Sequence, residues 1–295
     1  MEIKNVVIAG AGVLGSQIAF QAARFGYKVK IWNRHVERAE NRLAVIKDQF
    51  LADDQYTEKD YQTAIDNIVE ISDDLPSVVK DADLVIESVS ESVDIKKAFY
   101  AELCPALPEK TIITSNSSTF VPSQLVGFTD RPDKFLHMHF ANHIWQNNVA
   151  EIVGTDKTSP SAKDAVITFA HSIDMVPIVL KKENHGYVMN ALIIPLLNAA
   201  QALWANGIAD PHTIDKDWIK STGAPMGPFM ILDVVGLRTA YEIIQNSYTQ
   251  TKNPLTKKIA DQLKKMIDQG HTGAESGQGF YHYPNPEYKD PDFFK

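Results

Sequence analysis

A glycine turn near the N-terminus constrains the fold more than any other feature of the chain. An apolar run at residues 6–9 leads into the sequence GAGVLG at residues 10–15, and an apolar helical pattern follows. In such a strand–turn–helix unit the first glycine allows the tight turn, the second admits a pyrophosphate, and the third lets helix and strand pack closely. Free N–H groups at the helix N-terminus attract the phosphates. We therefore expect a dinucleotide cofactor on the following residues: Gly10, Gly12, Val13, Leu14 and Gly15.

The end of the second predicted strand, residues 27–32, bears on which dinucleotide binds. An NAD site usually carries Asp or Glu here, about 20 residues after the glycines, to accept a hydrogen bond from the ribose 2′-hydroxyl. This chain has Asn33 and Arg34 instead. Asn can bond to a hydroxyl or a phosphate, and a guanidinium can pair with a 2′-phosphate. The pair admits NAD or NADP and favours NADP, unless Arg34 is only a solvated charge at the start of the next helix.

Composition limits the class of protein. With 295 residues, 44% of them hydrophobic, the chain has core material for one large or two medium domains. A net charge of −8 argues against nucleic acid as a partner. The single cysteine, Cys104, cannot form an internal disulfide, and we recognise neither a signal peptide nor a membrane-length apolar run. These features predict a cytoplasmic protein with no membrane partner.

The order of apolar patterns predicts two domains. β-branched runs alternate with helical patterns in the first, which indicates a Rossmann-type, mostly parallel α/β sheet over residues 1–183. A helical hairpin, residues 36–52 and 53–65, is inserted there, and an all-α domain follows over residues 184–295. We predict strands at residues 6–9, 27–32, 68–71, 84–88, 111–115, 135–140, 149–154 and 175–179. Helices of the second domain are predicted at residues 187–206, 211–221, 237–249 and 255–269.

Polar residues gather where such a sheet would bind a ligand. The hydroxyl-rich residues 115–119 follow the fifth predicted strand, at a carboxyl end of the sheet. His139 and Glu151 lie on two strands that we expect to be neighbours, so the side chains can meet. A carboxylate beside a histidine fixes its tautomer and stabilises the imidazolium, as a general base for an alcohol proton requires. The alternative interpretation is a structural histidine–glutamate pair in the core.

A metal site formed by His137, His139 and His143 is a second alternative. The first two histidines alternate onto one face of a strand, and the third follows four residues later. Histidine-based metal sites usually include Cys or carboxylate ligands as well, and the sequence has neither a Cys nor a second carboxylate near these residues. We therefore expect no metal.

Six segments match, in order and spacing, the motifs of one enzyme family. The family motifs are Ser-Asn-Thr-Ser-Ser, His-Phe-Phe-Asn-Pro with a Glu twelve residues past the His, Gly-Phe-x-x-Asn, Gly-x-Pro-x-Gly-Pro and Gly-x-Gly-Phe-Tyr. The matching segments here are residues 115–118, 139–142, Glu151, 186–190, 223–228 and 277–281. On these residues the chain resembles the short-chain L-3-hydroxyacyl-CoA dehydrogenase (3-hydroxybutyryl-CoA dehydrogenase) family over essentially its full length.

The resemblance implies roles for individual residues. His139 matches the family's general base and Glu151 its partner. Ser118 matches the serine near the substrate oxygen and the nicotinamide, and Asn190 the asparagine that orients the reacting group. Cofactor contacts are implied for Glu91, Lys96, Asn116 and Asn142.

The chain also departs from the family pattern. His143 replaces the proline of the His-Phe-Phe-Asn-Pro motif, and residues 144–148 are more polar and bulkier than usual, which affects the shape of the substrate site. Basic residues that family members place on the helical hairpin for the CoA phosphates are few. They are Arg38, Arg42 and Lys47.

These features predict an NAD(P)-dependent 3-hydroxyacyl-CoA dehydrogenase with His139 as general base. The first alternative is a dehydrogenase of a free 3-hydroxy acid, of the gulonate or carnitine type. The second is a nucleotide-sensing protein without turnover. It would not need His139, Glu151, Ser118 and Asn190 together.

The second domain is rich in apolar residues, more than a lone helical layer should bury. This surplus predicts a homodimer through that domain, although a larger internal core would also use it. The residues concerned are Ile193, Ile194, Leu196, Leu197, Ile231, Leu232, Val234 and Val235.

Overall fold

An eight-stranded sheet organises the first part of the chain. The computed structural model describes residues 2–53 and 55–295. Its strands are β1 (Asn5–Ala9), β2 (Lys28–Trp32), β3 (Ile68–Ser72), β4 (Leu84–Glu87), β5 (Ile112–Ser115), β6 (Phe135–Phe140), β7 (Val149–Gly154) and β8 (Val176–Val179). Their order is β3-β2-β1-β4-β5-β6-β7-β8, and every neighbouring pair is parallel except β6–β7. The predicted α/β class, with a mostly parallel sheet, is confirmed.

Helices cover both faces of this sheet. They are α1 (Val13–Arg24), α2 (Val36–Leu51), α3 (Glu58–Asn67), α4 (Leu75–Val79), α5 (Val93–Ala106), α6 (Pro122–Leu125) and α7 (Pro160–Ser172). Along β1, Val6 and Ile8 pack into the core under α1, α2 and α7, whereas Val7 and Ala9 pack into the core under α4 and α5. Burial on both faces explains why the strands read as continuous apolar runs.

The second hairpin helix starts later than predicted. We expected it from residue 53, but α3 begins at Glu58. Thr57 stops it from extending further back, because its hydroxyl accepts from the Asp60 N–H while the Asp60 carboxylate accepts from the Thr57 N–H. This reciprocal cap fixes the start of the helix. Residue 54 of the predicted helix lies outside the described residues.

The chain divides between Val188 and Met189 into two compact units. The second unit is helical, as predicted, with α8 (Met189–Ala205), α9 (Pro211–Thr222), α10 (Pro228–Val235), α11 (Leu237–Thr251) and α12 (Pro254–Asp268). Within the described residues, none of the helices combines the length and the apolar character that crossing a membrane requires.

Helix α10 was not predicted, because its N-terminal cap comes from a distant residue. The carboxylate of Asp215, on α9, accepts from the N–H groups of Phe229 and Met230 in the first turn of α10. A short apolar segment behind a Gly-Pro pair looks like a turn when only local residues are considered. Capping from another helix is invisible in the local pattern.

Candidate active site

The antiparallel pair β6–β7 brings His139 and Glu151 together. The two residues lie directly opposite each other in the strand register. His139 Nδ1 lies 3.0 Å from Glu151 Oε2, and the two residues are only 9% and 3% exposed. Cross-strand neighbours in antiparallel sheets are held at contact distance by the backbone itself. The pair is therefore set by the sheet and not by loop conformation.

Hydrogen bonding assigns the proton on the His139 ring. A carboxylate only accepts, so Nδ1 carries the proton and donates it to Glu151. The second ring nitrogen, Nε2, is then the acceptor, and the Ser118 hydroxyl, whose Oγ lies 3.0 Å away, can donate to it. Glu151 is itself fixed, because its Oε1 accepts from the Val188 N–H at 2.9 Å. The arrangement presents a basic nitrogen beside an exposed hydroxyl, as proton transfer to and from an alcohol requires.

Glu91 holds the serine turn in place. Its carboxylate accepts from Ser117 Oγ at 2.8 Å and from the Ser118 N–H at 2.6 Å. Burial opposes ionisation of Glu91, but the Lys96 ammonium and these hydrogen bonds outweigh it and hold the pKa of Glu91 below its usual range. An ionised Glu91 keeps Ser118 facing His139.

Lys96 lies in the interior beside two carboxylates. It is 1% exposed, and its ammonium lies 2.6 Å from Glu87 and 3.2 Å from Glu91. Tyr100 and Ser115 donate to the other oxygen of the Glu87 carboxylate. Lys96 therefore acts on the site through Glu91, from the interior, and its predicted contact with the cofactor stays a prediction.

The two asparagines implied at the cofactor occupy different positions. Asn116 is buried, and its Oδ1 accepts from the Phe140 N–H at 3.0 Å, which ties the end of β5 to the end of β6. Asn142 is exposed beyond β6. Asn190 is the second residue of α8 and belongs to the helical unit. Their roles toward cofactor and substrate stay predictions.

The glycine turn has the shape that a dinucleotide needs. A Cβ at Gly15 would collide with the Gly10 carbonyl oxygen, so only glycine permits this approach of α1 to the strand end. Apart from Gly12 itself and the residues adjoining it in the chain, no described atom lies within 4 Å of where a Cβ of Gly12 would stand. No side chain of the described residues caps the first turn of α1. Open space over uncapped N–H groups fits a bound pyrophosphate.

Asn33 has a role that the sequence did not suggest. Its Oδ1 accepts from the Ala11 N–H at 3.1 Å, and its Nδ2 donates to the His35 carbonyl at 2.7 Å. Both polar atoms of the side chain thus have partners within the protein. Asn33 links the glycine turn to the start of α2, and any distinction between NAD and NADP falls more heavily on Arg34.

The basic residues in and just before α2 lie in two places. Arg34, Arg38 and Arg42 line a cavity of about 730 Å³ together with the glycine turn. Lys47 is separate from them and pairs with Glu58 at 2.7 Å. The arginines therefore lie beside the predicted dinucleotide, and Lys47 serves the helical hairpin.

Tyr187 lies behind His139 and was not among the predicted site residues. Tyr187 stacks on the imidazole with 4.6 Å between ring centroids and an angle of 4° between the planes. Its hydroxyl contacts His137 Nδ1 and the Ser117 carbonyl. Two signals were available, namely the alternation of His137 and His139 on one strand face, and Tyr187 where the family motif has Phe.

Comparison with known proteins identifies the family. The NAD-binding domain of 3-hydroxyacyl-CoA dehydrogenase matches residues 5–184, and the C-terminal domain of the same enzyme matches residues 186–283. The human mitochondrial hydroxyacyl-coenzyme A dehydrogenase is 30% identical over 298 residues, covering 95% of this chain and 91% of that protein. A probable 3-hydroxybutyryl-CoA dehydrogenase of Bacillus subtilis is 30% identical over 286 residues. The matched region covers 96% of this chain and 98% of that protein.

Solved structures agree with this result. A diketoreductase that acts on dicarbonyl compounds is 47% identical with a TM-score of 0.89, over 96% of this chain and 100% of that one. The (S)-3-hydroxybutyryl-CoA dehydrogenase of Ralstonia eutropha is 28% identical with a TM-score of 0.79, over the same shares. With both of its domains matched, the chain is an NAD-binding oxidoreductase that belongs to the 3-hydroxyacyl-CoA dehydrogenase family.

Proposed function

We propose that the protein interconverts an L-3-hydroxyacyl-CoA and the corresponding 3-oxoacyl-CoA, with His139 as the general base. A bound nicotinamide cofactor supplies the hydride acceptor in the oxidative direction. His139 Nε2 takes the proton of the substrate hydroxyl, and Ser118 Oγ holds the same oxygen. Glu151 balances the charge of the imidazolium that forms. The alcohol thus loses a proton to the protein and a hydride to the cofactor.

The observation that carries this proposal is the position of His139 between two partners. Glu151 fixes the Nδ1 proton, and Ser118 marks the place of the substrate oxygen, 3.0 Å from Nε2. A metal ion would need a lone pair on several side chains at once, and both ring nitrogens of His139 already have partners. The donor set therefore suits proton transfer.

The test is oxidation of NADH when acetoacetyl-CoA is added, followed by chiral analysis of the 3-hydroxybutyryl-CoA formed. The variant Ser118→Ala is expected to lower kcat about tenfold, because it removes the hydroxyl that holds the substrate oxygen. Ser161→Ala, at an exposed serine in the first turn of α7, is the matched control. Absence of turnover in the wild-type protein with every 3-oxoacyl-CoA length would reject the proposal.

A second candidate is reduction of dicarbonyl compounds that carry no CoA. The diketoreductase relative is 47% identical, and the basic residues available for CoA phosphates are divided between the dinucleotide cavity and a pair with Glu58. Phosphates of CoA need basic partners, so this division favours a smaller substrate. Free 3-hydroxy acids belong to the same candidate class.

The two candidates differ in how kcat/KM depends on the CoA group. We expect CoA-dependent catalysis to show a KM for acetoacetyl-CoA that rises with salt, and a kcat/KM that falls steeply when the CoA group is removed. A CoA-independent enzyme would use ethyl acetoacetate or a diketone as well as the thioester.

For the cofactor, we propose that NADP(H) is used at least as well as NAD(H). Arg34, Arg38 and Arg42 line the cavity at the glycine turn, where a 2′-phosphate would add charge. The absence of an acidic side chain at position 33 removes a repulsion of roughly 1 kcal/mol. The measurement is kcat/KM for both reduced cofactors, before and after Arg34→Gln. A preference of the wild-type protein for NADH above about tenfold would overturn this proposal.

We further propose a homodimer formed through the helical unit. Of the apolar residues expected there, Leu197 and Leu232 are buried in the unit's own core, while Val234 is 64% exposed and Val235 44% exposed. Leu192 on α8 is 68% exposed. Light scattering at micromolar concentration tests the proposal, and Val234→Glu is expected to shift a dimer toward the monomer. A monomeric wild-type protein would reject it.

The cytoplasm is the compartment we propose. The support is the single cysteine, Cys104, which is buried and free. A reducing compartment keeps such a thiol reduced. Fractionation of the cells that produce the protein is the test, and recovery with a membrane or an exported fraction would contradict it.

A further inference from the structure

Residues 187 and 188 contact three parts of the proposed catalytic group in the first unit. These are the His139 ring, the Glu151 carboxylate and the serine turn at Ser117. The ring of Tyr187 stacks on His139, with 4.6 Å between centroids and 4° between planes. The Tyr187 hydroxyl donates to the Ser117 carbonyl at 2.5 Å, and the next N–H, of Val188, donates to Glu151 at 2.9 Å. One short segment thus contacts the base, its carboxylate partner and the serine turn.

The hydroxyl of Tyr187 belongs to a directed chain of hydrogen bonds. A carbonyl only accepts, so the single phenolic proton goes to Ser117. The phenolic oxygen then accepts from His137 Nδ1, 2.9 Å away, which fixes His137 as the neutral Nδ1–H tautomer. Ser117 is followed by Ser118, whose Oγ meets His139 Nε2. The chain therefore runs from a buried histidine to the turn that carries the reactive hydroxyl.

Two features around Tyr187 and His137 cost folding free energy. Tyr187 has a φ of +52°, a left-handed conformation that a bulky residue adopts only when its surroundings impose it. His137 is fully buried, and its Nε2 has no hydrogen-bond partner among the described residues. Simple packing would be served as well by apolar side chains at both positions. Strain and unpaired polar atoms retained together indicate a functional constraint.

We propose that Tyr187 is a positioning residue for His139, through two separable actions that rest on the proposed function. Its ring fixes the plane of the imidazole and places a π face against the imidazolium that forms when His139 takes a proton. Its hydroxyl, with His137, holds the Ser117–Ser118 turn at the distance that proton transfer needs.

Four titratable side chains lie close to the His139 imidazole or to the serine turn that faces it. Glu151 on β7 contacts Nδ1, and Glu91, after β4, contacts the serine turn. His137 lies two residues before His139 on β6, and Tyr187 lies on the ring face. Lys96 on α5 lies behind this group, with its ammonium 2.6 Å from Glu87 and 3.2 Å from Glu91.

Two variants separate the two actions. Tyr187→Phe keeps the ring and removes the hydroxyl, so we expect kcat to fall about fivefold to twentyfold while the pH profile of kcat/KM keeps its acid limb. Tyr187→Leu also removes the ring, so we expect a fall of about 100-fold and an acid limb displaced to lower pH by about half a unit, because the imidazolium loses its π face. Tyr27→Phe removes an exposed hydroxyl that bonds Ser172 and is the control.

A measurement without substrate keeps this proposal distinct from the proposed function. NMR titration of the His139 imidazole, assigned by comparison with His139→Gln, is expected to show the same displacement in Tyr187→Leu even if the true substrate is not a 3-oxoacyl-CoA. Circular dichroism checks that each variant folds. An unchanged kcat in Tyr187→Phe would overturn the role of the hydroxyl. An unchanged titration midpoint in Tyr187→Leu, or in Tyr187→Met if the leucine variant does not fold, would overturn that of the ring.

Discussion

Each of the two units buries a cluster of polar side chains, and the clusters differ in how completely their hydrogen bonds are satisfied. In the sheet unit the cluster contains His137, His139, Glu151 and Tyr187. One histidine nitrogen of this cluster has no hydrogen-bond partner in the described part of the chain, and the hydroxyl facing the other histidine belongs to an exposed serine. In the helical unit the cluster contains two aspartates and two tyrosines.

Each of the two aspartates of the helical unit accepts three hydrogen bonds. Asp233 accepts from the N–H groups of Phe280 and Tyr281 and from the Tyr283 hydroxyl. Asp215 accepts from the first turn of α10 and from the Tyr281 hydroxyl. Burial raises the pKa of both carboxyl groups.

Glycines in two sequence motifs make room for these carboxylates. A Cβ at Gly279 would collide with Asp233, and a Cβ at Gly227 would collide with Asp215. The glycine motifs of the second unit therefore admit the carboxylates that hold its helices together. Hydrogen bonds that satisfy a buried carboxylate stabilise the fold, whereas Nε2 of His139 faces only the hydroxyl of an exposed serine.

We expect the largest effect, a loss of kcat, from a change at His139, the proposed general base in the cluster of the sheet unit. His139→Gln is expected to lower kcat about 100-fold or more and to leave NADH affinity and the melting temperature unchanged, because a general base acts only on the chemical step. Stopped-flow kinetics and fluorescence titration measure the two quantities. His171→Gln, at an exposed histidine of α7, is the control. A loss below about threefold would show that another group is the base.

A change in the cluster of the helical unit should lower stability and leave kcat nearly unchanged. Asp233→Asn places an NH₂ group against N–H donors, so we expect the free energy of unfolding to fall by about 2–4 kcal/mol, with kcat per folded molecule little changed. Urea unfolding measures the first quantity. Asp268→Asn, which loses only an exposed pair with Lys264 within α12, should change stability by less than about 0.5 kcal/mol. If kcat falls while stability holds, the helical cluster is not merely structural.

The sequence predicted the parts of the site that follow from local spacing. Strand alternation placed His139 opposite Glu151, and the glycine turn was evident from its own residues. Tyr187 was missed because its contacts depend on a left-handed residue that brings three distant segments together. The pair that Lys96 forms with Glu87 in the interior was not predicted either, because it joins a helix to the end of a strand. Contacts set by tertiary packing leave no local pattern.

A smaller effect distinguishes the base from its partner. Glu151→Gln removes the charge that stabilises the imidazolium and leaves one oxygen that can accept from Nδ1, where the carboxylate has two accepting oxygens. We expect kcat to fall about tenfold, less than for His139→Gln, with the largest deficit in the direction that protonates His139. Initial rates in both directions measure this. A loss greater than that of His139→Gln would mean that Glu151 holds the fold of β7 and not the charge of the site.

A last effect concerns pH, where the two clusters should respond with opposite sign. Burial lowers the pKa of His137 to about 3, against 6.5 for the ordinary side chain. Between these values the unfolded chain binds a proton that the folded chain does not. Stability that is complete above pH 6.5 is therefore lost progressively as pH falls toward the pKa of the folded state. The raised pKa values of Asp215 and Asp233 act the other way, since the folded chain binds their protons more readily.

Hydrogen exchange of the β6 amides at pH 7, 6 and 5 reports on the sheet unit separately from the helical unit. We expect the opening free energy of β6 to fall more steeply with acid in the wild-type protein than in His137→Asn, which cannot take up a proton. The amides of α10 should not follow this trend, because their capping carboxylate, Asp215, has its pKa raised and not lowered. Parallel pH dependences of β6 in the two proteins would mean that His137 is open to water in the native state, and the contrast between the two clusters would then lose its physical basis.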